Sequence, residues 1–176
     1  DDEYNHARQW TANPTIKRWG CALASMVMIL RYHQITQLPD GQELTPQTLN
    51  QWLRQQPDGY IGGGVNWLAV TRLTQLLSRE HRTPKLEFNR QNGPLTTILA
   101  QAVSELHQQR PVIIGYPGHF LVVDGVTQPE LPPTPDRILI KDPYYPYHRL
   151  GQHRSAEEVY TIRRFRPSQT DLSYLL

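Results

Sequence analysis

The run Cys21-Ala22-Leu23-Ala24-Ser25-Met26-Val27-Met28-Ile29-Leu30 constrains this chain more than any other stretch. It holds the one cysteine of the sequence and is apolar on nearly every side. Leu23, Met26, Val27 and Leu30 recur at helical spacing, with Ala22 and Ile29 on the opposite side. A helix that is apolar all round is one that other elements enclose. Gly20 stands just before it as a turn former. A thiol in the first turn of such a helix sits at the positive end of the helix dipole, near backbone N–H groups without an intrahelical acceptor. That setting favours the nucleophilic thiolate. The same position also suits a cysteine that is only a small core hydrophobe, and the stretch by itself leaves both readings open.

The 176 residues are enough for one domain with a real core, and the expectation is a single domain over residues 1–176. Apolar residues at 38% and charged residues at 19% are ordinary for a globular protein. No stretch approaches the roughly 18–20 apolar residues of a membrane span, so membrane insertion is not expected. The net charge of +2 gives no strong pull toward nucleic acid. A lone cysteine excludes an internal disulfide and a zinc site built on several thiolates. No cofactor and no metal are expected. A start at Asp1, without Met or a signal-like segment, fits a trimmed or processed chain or a domain of a larger protein. The compartment stays open, with an extracytoplasmic location after processing as one expectation.

Residues 1–18 are polar, carry Pro14 and read as an extended segment leading into the central helix. That helix should fade near Arg31 to Gln34, before the turn signal Pro39-Asp40-Gly41. Thr45-Pro46 has the form of an N-cap followed by proline at the first helical position, opening a short helix with Leu49, Trp52 and Leu53. Tyr60 to Trp67 contains Gly62-Gly63-Gly64, read as a flexible connector; no Gly-Lys-Ser/Thr follows, so it is not a phosphate-cradling loop. Asn66 can cap the next helix, with Leu68, Val70, Leu73, Leu76 and Leu77 as its apolar positions. Lys85 to Phe88 reads as a short strand, and Gly93-Pro94 opens a helix that ends around His107 to Arg110.

The period then changes. Val112 to Tyr116 is a β-branched run of the kind found in buried strands. Pro117-Gly118 suits the centre of a type II turn, after which Phe120 to Val123 forms a second strand. Arg137 to Lys141 is a third strand, stopped by Asp142-Pro143 and followed by an aromatic loop with Tyr144, Tyr145 and Tyr147. Ser155-Ala156-Glu157-Glu158 has capping-box form, predicting a late helix. Arg163, Arg164 and Arg166 read as a solvated face. A helical first half followed by an antiparallel sheet is an α+β plan.

A cysteine nucleophile needs a nearby base and a third group that orients the base. Of the seven histidines, His6, His81, His107, His148 and His153 lie in polar or terminal stretches and His33 ends the first helix. None is spaced as a metal pair. His119 differs, because it opens a strand just after a tight turn. Asp142 closes the next strand, and adjacent strands can set the two side chains together, the carboxylate fixing the tautomer of the ring. Separately, His119 could be a structural turn residue and Asp142 a turn initiator before Pro143. Together with a cysteine at a buried helix start they form an ordered set.

The ordered segments GCALASMVMILRYH, TPQTLNQWL, GYIGGGVNW, GHFLVVDGV and ILIKDP resemble the papain-like cysteine peptidases, and among them the bacteriocin-processing type (cysteine peptidase family 39) and its stand-alone relatives. The resemblance spans about residues 4–165. It implies a papain-like α+β fold, with the nucleophile helix packed on an antiparallel sheet from the second half. It also implies that Cys21 is the nucleophile, His119 the general base and later acid, and Asp142 the orienting carboxylate. The family's upstream oxyanion-hole glutamine falls on Gln9, the one glutamine before Cys21. The sequence departs from the family in a longer glutamine-to-cysteine gap and in Ala22 where many members have glycine. Removing one oxyanion donor typically costs about 10²–10³ in turnover.

The function implied is cysteine-dependent hydrolysis of a peptide or amide bond through a thioester acyl-enzyme, on a peptide or protein substrate. Two rivals remain at this level. One keeps the triad and changes the acceptor, as in acyl transferases and glutamine deamidases of the toxin or effector type. The other is a catalytically silent papain-like module that binds peptide.

Overall fold

The computed structural model describes residues 15–169, and among them an α+β architecture of five α-helices and seven strands. A turn of helix, α1 (Ile16–Trp19), leads into α2 (Cys21–Tyr32). The extended lead-in expected over residues 1–18 therefore already holds helix at its end; residues 1–14 lie outside the described residues. The enclosed character expected of α2 is met, with Leu23, Met26 and Leu30 at 0% exposure and Ala22, Ser25, Val27 and Ile29 also buried. Side chains of this size contribute about 1.5–3 kcal/mol each when fully buried. α3 (Pro46–Gln55) packs against α2 and starts as its sequence requires. Thr45 Oγ1 accepts from Thr48 N–H at 3.1 Å, and Thr48 Oγ1 accepts from Thr45 N–H at 2.9 Å. Two otherwise orphaned donors are satisfied reciprocally.

The glycine run is not a loose connector. β1 (Tyr60–Ile61) and β2 (Gly64–Val65) pair as a small antiparallel hairpin, closed by Gly62 and Gly63 at φ of 56° and 83°. Such left-handed angles in a two-residue hairpin loop favour glycine. Asn66 Oδ1 accepts from Leu68 N–H at 3.2 Å and caps α4 (Trp67–Glu80). Leu68 itself faces solvent, 46% exposed, while Thr71 and Thr74 are buried in its stead. Their hydroxyls explain this: Thr74 Oγ1 accepts from Leu86 N–H at 2.9 Å and Thr71 Oγ1 from Phe88 N–H at 3.1 Å. These bonds tie α4 to β3 (Lys85–Asn92), which runs past the short strand expected at 85–88. Trp67, Phe88 and Phe165 stack with ring centroids 5.4–6.2 Å apart, so Trp67 is a core residue.

After α5 (Leu95–His107) come β4 (Val112–Tyr116), β5 (His119–Val126), β6 (Ile138–Lys141) and β7 (Thr161–Ser168). With β3 they form a five-stranded sheet in the order β3-β7-β4-β5-β6, antiparallel in the β7–β4, β4–β5 and β5–β6 pairs. The arginines read as a solvated face belong to β7. Arg163 lies over the Phe120 ring at 4.5 Å. Arg164 is 7% exposed; its guanidinium donates to Gln91 Oε1 at 2.9 Å and to Gln101 Oε1. The late helix shrinks to one turn at Ala156–Glu158, without a side-chain cap.

The described residues divide into two compact units, 15–88 with 165–169 and 89–164, the boundary falling inside β3 and β7. In the second unit α5 lays Ile98, Leu99 and Ala102 on Val112 and Ile114 of β4, Leu121 and Val123 of β5 and Ile138 and Ile140 of β6. The alternation of the strands puts these residues on one face of the sheet.

Candidate functional site

Cys21 is the first residue of α2 and is part-exposed, beside the buried Ala22 and Leu23. The first helical bond of α2 runs from Ala24 N–H to Gly20 O. The N–H groups of Cys21, Ala22 and Leu23 therefore start the helix outside its ladder. Gly20 is required by space: a Cβ there would lie 2.5 Å from Ile16 Cγ2 and 2.6 Å from Ile16 O. Glycine lets α1 and α2 meet tightly enough to place the sulfur at the helix start.

In the second unit the sheet does what the order of strands promised. The β4–β5 turn is closed by Pro117 and Gly118, the latter at φ 85°. His119 follows, pairing with Tyr116 across the hairpin and sharing the face of Leu121 and Val123. β6 runs antiparallel to β5 with Val122 opposite Lys141. The residue after Lys141 therefore arrives beside the start of β5, on the face of Ile138 and Ile140. That residue is Asp142. His119 Nε2 donates to Asp142 Oδ2 at 2.9 Å; the two side chains are 9% and 0% exposed.

The surroundings of Asp142 are unusually complete. Its Oδ1 accepts from the backbone N–H groups of Tyr144 at 2.8 Å and Tyr145 at 2.7 Å. Its Oδ2 lies 2.9 Å from Nε2 of His119 and also 2.9 Å from Nε2 of a second histidine, His153. The His153 contact is a close charge–dipole contact rather than a hydrogen bond, because the ring N–H is not aimed along the line to the oxygen. Burial alone would raise the Asp142 carboxyl, but the His119 bond and the Tyr145 and Tyr144 N–H groups outweigh it and hold it below the usual carboxylate range. Asp142 is therefore an anion at neutral pH.

His153 is held the other way. Burial lowers its affinity for a proton more than the Asp142 charge restores it, and His119 lowers it further. It is neutral at neutral pH, with one N–H to place. Nε2 faces a carboxylate oxygen and Nδ1 lies 3.0 Å from the Tyr116 hydroxyl. A lone pair on Nε2 would face the lone pairs of Asp142, so the proton sits on Nε2 and the Tyr116 O–H donates to Nδ1. Tyr145 and Tyr147 stack at 5.3 Å and enclose the histidines, Tyr145 edge-on to both rings and Tyr147 edge-on to His153 at 4.8 Å.

The donor atoms of His119, Asp142 and His153 all lie within 4.8 Å of one another, the composition of a divalent-metal site. Sequence spacing gave no sign of this cluster, because its members come from two strand ends and a loop. The 2.9 Å contacts describe with equal chemistry a network that holds and passes protons.

Of the residues singled out in the sequence, His119 and Asp142 are brought together and Cys21 starts its helix as expected; Gln9 lies outside the described residues. His153 was passed over, since a histidine in an aperiodic polar stretch carries no signal of which way it points. Among the described residues no helix is long and apolar enough to cross a membrane. Compared with known proteins, residues 2–166 match the family model described as Peptidase_C39 like family. No curated protein matches the chain.

Proposed function

The chain belongs to the Peptidase_C39-like family, and from that premise we propose that it is a papain-like cysteine peptidase acting through Cys21, His119 and Asp142. The observation that carries this reading is the buried His119–Asp142 pair. With Nε2 donating to the carboxylate, Nδ1 is the ring nitrogen that takes a proton from a nucleophile. A base held in one tautomer by a carboxylate is the arrangement nucleophilic catalysis requires.

In this mechanism the Cys21 sulfur attacks the carbonyl carbon of a peptide or amide bond, and its proton resides on His119. The oxyanion of the tetrahedral intermediate is held by the Cys21 N–H and the Gln9 side-chain amide. His119 gives its proton to the leaving amine as the C–N bond breaks, leaving a thioester on Cys21. Water then attacks the thioester with His119 as base, releasing a carboxylic acid and restoring the thiol. The neutral amine and acid account for the atoms of one water.

The test is a peptide-library cleavage screen read by mass spectrometry, comparing wild type with Cys21→Ala and with iodoacetamide-treated protein. Both should lose cleavage by at least about 10³-fold. Ammonia release without chain cleavage would assign a glutamine deamidase, and a mass gain on an added amine an acyl transferase. A Cys21→Ala protein that cleaves like wild type would end the reading.

A further inference from the structure

A carboxylate offers about four lone-pair positions, and in a dry site each needs a donor. For Asp142 three are filled by hydrogen bonds, Tyr144 N–H and Tyr145 N–H on Oδ1 and His119 on Oδ2, and beside the fourth lies Nε2–H of His153, 2.9 Å from Oδ2 but not aimed along the line to it. Three of these donors are expected in any strand-end Asp that orients a histidine. His153 is not. It comes from the loop after β6, just past the turn Leu150–Gln152, and is 5% exposed. Among the described residues it is faced by Asp142 from the end of β6, His119 from β5, Tyr116 from β4, and Tyr145 and Tyr147 from the intervening loop.

Resting on the peptidase reading, we propose that His153 is a positioning residue which, oriented by the Tyr116 hydroxyl, sets its ring N–H dipole against Oδ2 of Asp142 at 2.9 Å and so limits how strongly that carboxylate holds the protonated His119. An oxygen whose charge is already partly offset by the His153 dipole gives less to the His119 bond. Without His153, Oδ2 would serve His119 alone, the imidazolium would be stabilised further, and return of its proton to the leaving amine would be slower. The network Tyr116–His153–Asp142–His119 thus tunes the base through a residue that need not touch the substrate. Its burial-lowered proton affinity keeps His153 a neutral donor rather than a second cation beside His119.

The experiment compares His153→Phe, which removes the donor, with His153→Gln, which restores an amide N–H at similar reach, using chelator-treated protein. Two readouts are taken: steady-state kinetics on a cleaved peptide, and the ¹⁵N NMR titration of the His119 ring. His153→Phe should lower kcat by roughly tenfold to a hundredfold, as loss of supporting hydrogen-bond partners does elsewhere, leave KM within about twofold, and move the His119 titration to higher pH. His153→Gln should return both toward wild type. If the Phe variant does not fold, Tyr116→Phe frees the His153 tautomer and should shift the His119 titration the same way by less. An unmoved titration in a folded variant, or equal loss of kcat in Phe and Gln variants, overturns the proposal and makes His153 packing only. The titration needs no turnover. If Cys21→Ala still cleaves peptide, the peptidase reading falls while this readout still decides what His153 does to Asp142.

Discussion

Replacing Asp142 by asparagine asks whether the site needs a carboxylate or merely an acceptor of that shape. The amide can lie two ways. With its oxygen toward the histidines, its NH₂ meets the N–H groups of Tyr144 and Tyr145, now 2.8 and 2.7 Å from Oδ1. Two backbone donors cannot change their protonation, so this orientation wastes both bonds at about 1–3 kcal/mol each. With its oxygen toward the backbone, the NH₂ faces Nε2 of His119 and Nε2 of His153. Both rings can answer by moving their proton to Nδ1, and the Tyr116 hydroxyl can turn from donor to acceptor. The second orientation wins because imidazoles and hydroxyls rearrange and peptide groups do not. The fold is then kept. Charge-assisted bonds worth about 1.5–3 kcal/mol become neutral ones worth about 0.5–1.5, while the cost of burying an anion is relieved. A net loss of about 1–3 kcal/mol in urea unfolding is expected. Activity suffers far more, because His119 now carries its proton on the nitrogen that should accept one; a comparable tautomer error in a serine protease costs about 10⁴ in kcat. Two-bond ¹H–¹⁵N spectra report the tautomers directly: Nε2–H on both rings in wild type, Nδ1–H on both in the variant. Rings that stay Nε2–H, or a variant within about tenfold of wild-type turnover, would refute this account of the site.

Two further outcomes follow from the same unit. His153 is buried neutral with its proton affinity lowered, so its contribution to stability is complete above the ordinary histidine value of about 6.5 and is lost as pH falls from there toward its folded value. Asp142 has the complementary window, its contribution present above the ordinary carboxylate value and lost as pH falls through its lower folded one. Urea melts between pH 7.5 and 5 should show the first decline in wild type and a shallower one in His153→Gln; a flat wild-type profile would contradict it. Gly115→Ala should destabilise by about 1–3 kcal/mol. Its Cβ would lie 2.7 Å from the Phe120 ring and 3.1 Å from Thr161 Cγ2, and Arg163 over Phe120 limits the ring's retreat. Unchanged stability by thermal or urea unfolding would show that Phe120 moves freely.

What could be read from the sequence is what a repeating backbone dictates. A helix apolar on all sides has one place to go, and α2 went there. The strand ends bearing His119 and Asp142 were legible because antiparallel neighbours return the chain to where it started, and a period of two fixes the face. The Thr45 and Asn66 caps were legible because their partners lie within three residues. β7 was not, because Arg163, Arg164 and Arg166 masked its apolar residues Ile162 and Phe165. A buried arginine is written in its partners, and Arg164 meets Gln91, Gln101 and Glu105, all far away in the chain.

His153 marks the same boundary at the site itself. Between β6 and β7 the chain keeps no period, so nothing in the order of Pro143 to Gln152 says which side chains turn inward. Position there is fixed by particular bonds: the Asp142 carboxylate gathers the N–H groups of Tyr144 and Tyr145, and Gln152 Oε1 accepts from the N–H groups of His148 and Arg149. Each bond folds a few residues back on themselves, and together they set the path of the chain that leads to His153. The carboxylate thus acts twice, as the partner of His119 and as the anchor of the loop that brings His153 beside it. A loop built around the group it completes is coupled to that group's charge. Protonating Asp142 should therefore loosen residues 143–153 together with the His119 pair, which amide hydrogen exchange at Tyr144 and Tyr145 across the acid range would reveal as one shared transition.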